Sequence, residues 1–171
     1  MRQLADEHRI REFLRWLGDS ARAPVHAYLV GGATAVLHGW RPSTIDVDLT
    51  LDPESREVYE AIPRLKEALD LNVEFASPAH FVPELPGWRE RCVFIGTFGR
   101  LIASHYDPYG QVLAKVERGH AQDTADVRSF LDAGLVDPAR LRELFDKVAA
   151  DLVRYPAVDP ATLRARLEEL R

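Results

Sequence analysis

The chain has 171 residues, 46% of them apolar and 29% charged, with a formal net charge of −5. That size and balance fit one soluble globular domain with a real core. They argue against a protein that grips long stretches of nucleic acid, which needs a basic surface, and no apolar run approaches the ~20 residues that cross a bilayer.

The first expected element is a helix over about residues 3–17, where Leu4, Ile10, Phe13, Leu14 and Leu17 recur at helical spacing and Gly18 reads as a stop. The charged start of the chain has no signal-peptide core, so a cytoplasmic location is expected, and the lone Cys92 excludes an internal disulfide. Arg2, Arg9, Arg11 and Arg15 along this helix, like Arg140, Arg142, Lys147 and Arg154 later, read as solvated faces. "VHAYLV" (25–30) is a short strand ended by Gly31-Gly32, and a brief helix follows, closed by Gly39.

"TIDVDLTL" (44–51) alternates strictly. Ile45, Val47, Leu49 and Leu51 are expected on the core face, and Asp46, Asp48, Thr50 and Asp52 on the other. Asp52-Pro53 reads as a helix cap and first turn, with a kink or break expected at Pro63. "LNVEFA" (71–76) is a third strand, with Leu71, Val73 and Phe75 on one side and Asn72 and Glu74 on the other. The stretch 77–90 holds three prolines and reads as a loop pinned by Phe81 and Trp88. Two further strands, "RCVFIGTF" and "RLIASHYD", suit a hairpin through Gly99-Arg100. Helices follow over about 108–118, 122–132, 138–154 and 160–170, the last two opened by Asp137-Pro138 and Asp159-Pro160.

The fold class expected is α+β: a mixed β-sheet core with flanking helices and a helical C-terminal part. It is read as a single domain over 1–171, with the core at about 20–132 and the helical part at about 138–171.

The acidic strand is the chemical signal. Two carboxylates at i and i+2 on one face repel unless a cation intervenes, and Mg²⁺ takes carboxylate oxygens and completes its shell with water and substrate phosphates. Glycines that end the preceding strand let backbone approach a phosphate. If the strand at 71–76 lies beside 44–51, Glu74 joins Asp46 and Asp48. Three carboxylates suit two metal ions clamping an in-line phosphoryl displacement. "SHYD" (Ser104, His105, Asp107) is not read as a hydrolase triad, because adjacent strand residues point to opposite faces. The six histidines show no metal-ligand spacing.

Gly31-Gly32, Asp46-x-Asp48 and Glu74, in this order, resemble the nucleotidyltransferase superfamily, the fold of DNA polymerase beta. "RPSTIDVDL" (41–49) resembles bacterial nucleotidyltransferase-like proteins, including toxins of abortive-infection, type IV toxin–antitoxin systems. The resemblance implies a metal-dependent enzyme moving a nucleoside monophosphate from a nucleoside triphosphate to an acceptor hydroxyl on RNA or a small molecule. Asp46, Asp48 and Glu74 would be catalytic and hold two Mg²⁺ ions, or Mn²⁺ in their place. Gly31, Gly32 and Thr44 would bind the nucleotide. In "KVERGHAQDTADV", Lys115, Arg118 and Asp123 would do so too. An antitoxin protein is the implied partner. The alternatives are a non-catalytic binding or regulatory protein of the same fold, and a small-molecule nucleotidyltransferase of the aminoglycoside type. Glu in place of the commoner third Asp is a departure from the family pattern.

Overall fold

The computed structural model describes residues 3–171; Arg2 lies outside them. Among the described residues the fold is α+β, with seven α-helices and one five-stranded mixed sheet. The chain divides into two compact units. One comprises the described part of Met1–Ser77 with Val93–His105, and the other Pro78–Cys92 with Tyr106–Arg171. Among the described residues, no helix is long and apolar enough to cross a membrane.

The first unit holds the sheet. Its strands are β1 (Val25–Val30), β2 (Asp46–Asp52), β3 (Asn72–Phe75), β4 (Val93–Phe98) and β5 (Leu101–His105), in the order β3-β2-β1-β5-β4. β1 runs antiparallel to β2 and parallel to β5, β2 runs parallel to β3, and β4–β5 is the expected hairpin. Helices α1 (Glu7–Ser20) and α3 (Arg56–Ala68) supply apolar residues to one core with the strands. Ile10, Phe13, Leu14 and Leu17 of α1 are fully buried there, each contributing about 1.5–3 kcal/mol of transfer free energy. A short helix, α2 (Gly31–Leu37), continues directly from β1.

Several boundaries differ from the sequence reading. Asp6, not residue 3, opens α1, by accepting from the Arg9 backbone N–H at 2.9 Å. Gly18 does not stop the helix. It lets α1 press on the hairpin, since a Cβ there would stand 1.9 Å from the Phe98 carbonyl oxygen. Ile45 is 69% exposed because β2 begins one residue later, and Thr44 instead pairs with Ala5 in an isolated bridge. Phe75 is exposed too, tilted against Tyr59 at 4.6 Å. Asp52 does not cap α3. Ser55 does, and the helix runs unbroken through Pro63 because Val58, Ala61, Ile62 and Leu65 anchor it on both sides.

The second unit is helical: α4 (Pro108–Arg118), α5 (Ala121–Asp132), α6 (Pro138–Val148) and α7 (Pro160–Glu169). Asp107, Asp137 and Asp159 each cap a helix that begins with proline. The expected helix over 138–154 ends at Val148 and tightens into a 3₁₀ turn over Ala149–Arg154. The proline-rich stretch contains 3₁₀ turns at Pro78–His80 and Trp88–Arg91. Trp88 pins it, buried and stacked on Tyr106 at 4.4 Å. Phe81 stays exposed beneath the Arg118 guanidinium.

Candidate active site

The pairing of strands assembles the acidic row. Along β2 the burial alternates: Val47, Leu49 and Leu51 are buried, while Asp46, Asp48, Thr50 and Asp52 are half-buried on the opposite face. The parallel register with β3 sets Asp46 beside Asn72 and Asp48 beside Glu74. The antiparallel register with β1 sets Val30 beside Asp48. The residue after Val30 must therefore enter α2 next to the Asp48 carboxylate.

That crowding explains the two glycines. Gly31 has φ +61°, and a Cβ on it would lie 2.9 Å from Asp48 Oδ2. A Cβ on Gly32 would lie 2.0 Å from Thr44 Oγ1 and 2.8 Å from Thr44 Cβ. Contacts under 3.0 Å cannot be accommodated without movement, so any side chain at either position displaces the Asp48 carboxylate or Thr44. Four of the sequence-derived site residues, Gly31, Gly32, Thr44 and Asp48, thus share one van der Waals cluster.

Glu74 completes the row but remains exposed. Asn72, which the sequence reading gave no role, lies between the acids. Its amide nitrogen donates to Asp46 Oδ1 and, at 3.2 Å, to Glu74 Oε1. Its position two residues before Glu74, on the same face of β3, is the signal that could have singled it out.

A family model described as "Nucleotidyltransferase of unknown function (DUF6036)" matches residues 8–161. The chain belongs to that family. No curated protein and no solved structure matches it. The match spans the glycine pair, the acidic strand and most of the helical unit. The fold and superfamily expected from the sequence are therefore those of this nucleotidyltransferase, and a nucleotide is its implied substrate.

The donors present suit a divalent cation. Asp46 and Asp48 are hard oxygen ligands on one face of one strand, beside a glycine that keeps bulk away, which fits one Mg²⁺ or Mn²⁺ shared with phosphate oxygens. Among the described residues, no group of three His, Cys, Asp or Glu is gathered to hold a metal. The fit is that of a carboxylate pair.

The remaining sequence-derived residues gather in the helical unit. Lys115 on α4 is 5% exposed, its Nζ lying 2.6 Å from Asp126 Oδ2 and 3.3 Å from Asp123 Oδ1 on α5. Arg118 Nη2 lies 2.6 Å from the same Asp123 oxygen. Two cations and two carboxylates match one another, and this cluster ties α4 to α5. Several arginines of the helix faces also have partners, at exposed or half-buried positions. Arg11 pairs with Glu7 at 2.8 Å and Arg140 with Glu143 at 2.8 Å, while Arg142 donates to the Leu167 carbonyl at 3.1 Å.

Ser104, His105 and Asp107 have separate partners, as the alternation argument requires. Ser104 Oγ lies 2.8 Å from His26 Nε2, and His105 Nδ1 lies 3.2 Å from Thr34 Oγ1. Asp107 is fully buried and receives the Arg91 guanidinium at 2.6 Å. Burial pushes the Asp107 carboxyl upward and Arg91 offsets part of this. Thr34 Oγ1 also donates to the Leu29 carbonyl at 3.1 Å. A hydroxyl has one proton, so His105 must be the donor, in its Nδ1–H tautomer. Burial, then the neighbouring His38 and Arg11, lower its pKa to about 3, and the neutral ring stacks on His38 at 4.2 Å. This pair braces α2, the helix that begins with the glycines. His38 Nε2 is buried without a hydrogen-bond partner among the described residues.

A concavity of about 690 Å³ opens between α1 and α3, lined by Trp16, Asp19, Arg22, Glu57 and Arg64 among others. Its lining includes none of the glycines or β2 carboxylates, so it is not assigned to the transfer chemistry.

Proposed function

We propose that the protein transfers a nucleoside monophosphate from a nucleoside triphosphate to an acceptor hydroxyl, at the row formed by Asp46, Asp48 and Glu74. The observation that carries this reading is the contact of Gly31 and Gly32 with Asp48 and Thr44. Bare backbone beside paired carboxylates is what a triphosphate and its cation require. In this reading Gly31 and Gly32 admit the phosphates, Thr44 buttresses the turn, and Asp46 and Asp48 would hold the divalent ion. That ion would neutralise charge on the phosphate oxygens. The acceptor oxygen attacks the α-phosphorus and a new P–O bond forms. The bond to the β-phosphate oxygen breaks, and pyrophosphate leaves with the electron pair. The acceptor proton passes to Glu74, which is exposed and adjacent to Asp48 in the register. The buried Lys115 cluster ties α4 to α5.

The net charge of −5 and the engaged helix arginines favour an acceptor that needs few phosphate contacts, an RNA end or a small molecule, over a long duplex. The test is transfer of label from each α-³²P nucleoside triphosphate, with Mg²⁺, to total RNA and to a panel of small hydroxyl compounds including aminoglycosides. Asp46→Ala is run alongside. Label that disappears in Asp46→Ala supports the reading and identifies nucleotide and acceptor. A second reading, Mg²⁺-dependent nucleotide binding without turnover, draws on the lack of a three-ligand metal group among the described residues. Saturable binding with no label on any acceptor would establish it.

A further inference from the structure

The position of Asn72 bears on how many cations this row can hold. An ionised carboxylate only accepts hydrogen bonds, and both neighbours of the Asn72 amide are carboxylates. The amide must therefore present its NH₂ group to them, which fixes its orientation without ambiguity. That group has two protons, one for Asp46 Oδ1 and one for Glu74 Oε1, so its donor capacity is used in full. The partial positive charge of the NH₂ group thus lies between the Asp46 and Glu74 carboxylates. The strand register makes this placement structural: Asn72 is opposite Asp46, and Glu74, two residues on, is on the same face opposite Asp48. No three-ligand group forms among the described residues.

We infer that Asn72 is a positioning residue that makes this a one-cation site, its amide standing in for a second ion by holding Asp46 and Glu74 in the row. The inference rests on the cation reading above and narrows it. The Asp46–Asp48 pair takes the ion. Glu74 is kept out of metal coordination and left as a proton acceptor.

The experiment is Mn²⁺ binding to the full chain, counted by electron paramagnetic resonance of free Mn²⁺ and by calorimetry, for wild type, Asn72→Asp, Asn72→Ala and Asp48→Asn. A thermal melt of each variant reports folding. Wild type is expected to bind one ion. Asn72→Asp is expected to bind two, because it adds a carboxylate and releases Glu74. Asp48→Asn is expected to weaken the single ion at least tenfold. Asn72→Ala, which frees Glu74 without adding charge, is expected to admit a second, weaker ion, and serves where Asn72→Asp does not fold. Two ions in wild type, or one ion in both folded Asn72 variants, overturns the role given to Asn72 and leaves the transfer reading standing. No ion in wild type overturns the cation reading itself.

Discussion

Two sets of acidic residues in this protein answer the same electrostatic problem differently. In the helical unit, Asp123 and Asp126 are buried and balanced by Lys115 and Arg118 at 2.6–3.3 Å. In the sheet unit, Asp46, Asp48 and Glu74 stand in a half-open row, and the donor seen between Asp46 and Glu74 is a neutral amide. Burial without a counter-charge costs several kcal/mol per ion, so the first set had to be neutralised for the unit to fold. Water reaches the second, which is half-buried to exposed, so it did not have to be neutralised in the same way. Buried charge here builds structure, whereas the half-buried carboxylates of β2 and the exposed Glu74 of β3 stay within reach of solvent.

The comparison breaks most visibly if the two sets respond alike to neutralisation. Asp48→Asn is expected to slow label transfer by about 10³-fold, several kcal/mol of barrier, with a smaller stability cost than Lys115→Met below. Steady-state label transfer and urea unfolding on the same preparation check both. Lys115→Met should do the reverse. It leaves buried carboxylates without their ammonium and should cost about 3–5 kcal/mol of stability, read as a lower urea midpoint. If Lys115→Met folds normally but loses nucleotide binding, that cluster touches the substrate after all.

A smaller effect sharpens the role of the glycines. Gly32→Ala drives a methyl into Thr44 and should cost about 1–3 kcal/mol. Thr44→Gly in the same chain should recover most of that loss, measured by a double-mutant cycle in urea. An unrecovered loss would mean that the clash lies elsewhere.

A further effect, of similar size, is the response to acid of the support beneath α2. His105 is held neutral in the fold, its pKa lowered from the ordinary 6.5 to about 3. Between those values the unfolded chain binds the extra proton, so stability falls as pH drops below about 6.5, by at most ~1.4 kcal/mol per unit from this residue. His105→Asn keeps an N–H for Thr34 and removes the titration. Its urea midpoint should fall less between pH 7 and 5 than that of wild type, and identical slopes would assign the acid sensitivity to other groups.

The sequence by itself determined the local events. Alternation in 46–51 decided which face of β2 carries the aspartates, because successive strand side chains must point oppositely. The Asp-Pro pairs at 137 and 159 started helices, because a carboxylate satisfies free N–H groups and proline needs none there. The same pair at 52 did not start one, since Asp52 was still bound in β2 opposite His26. Gly18 read as a stop and served as a contact, a distinction that depends on where Phe98 returns, 80 residues later. Asn72 and Lys115 were both visible as polar residues in amphipathic segments. Only strand register placed the amide between Asp46 and Glu74, and only the packing of α4 on α5 closed two aspartates around the lysine. A periodicity fixes a side chain's direction relative to its own backbone; its partner comes from another element, and tertiary structure alone decides which.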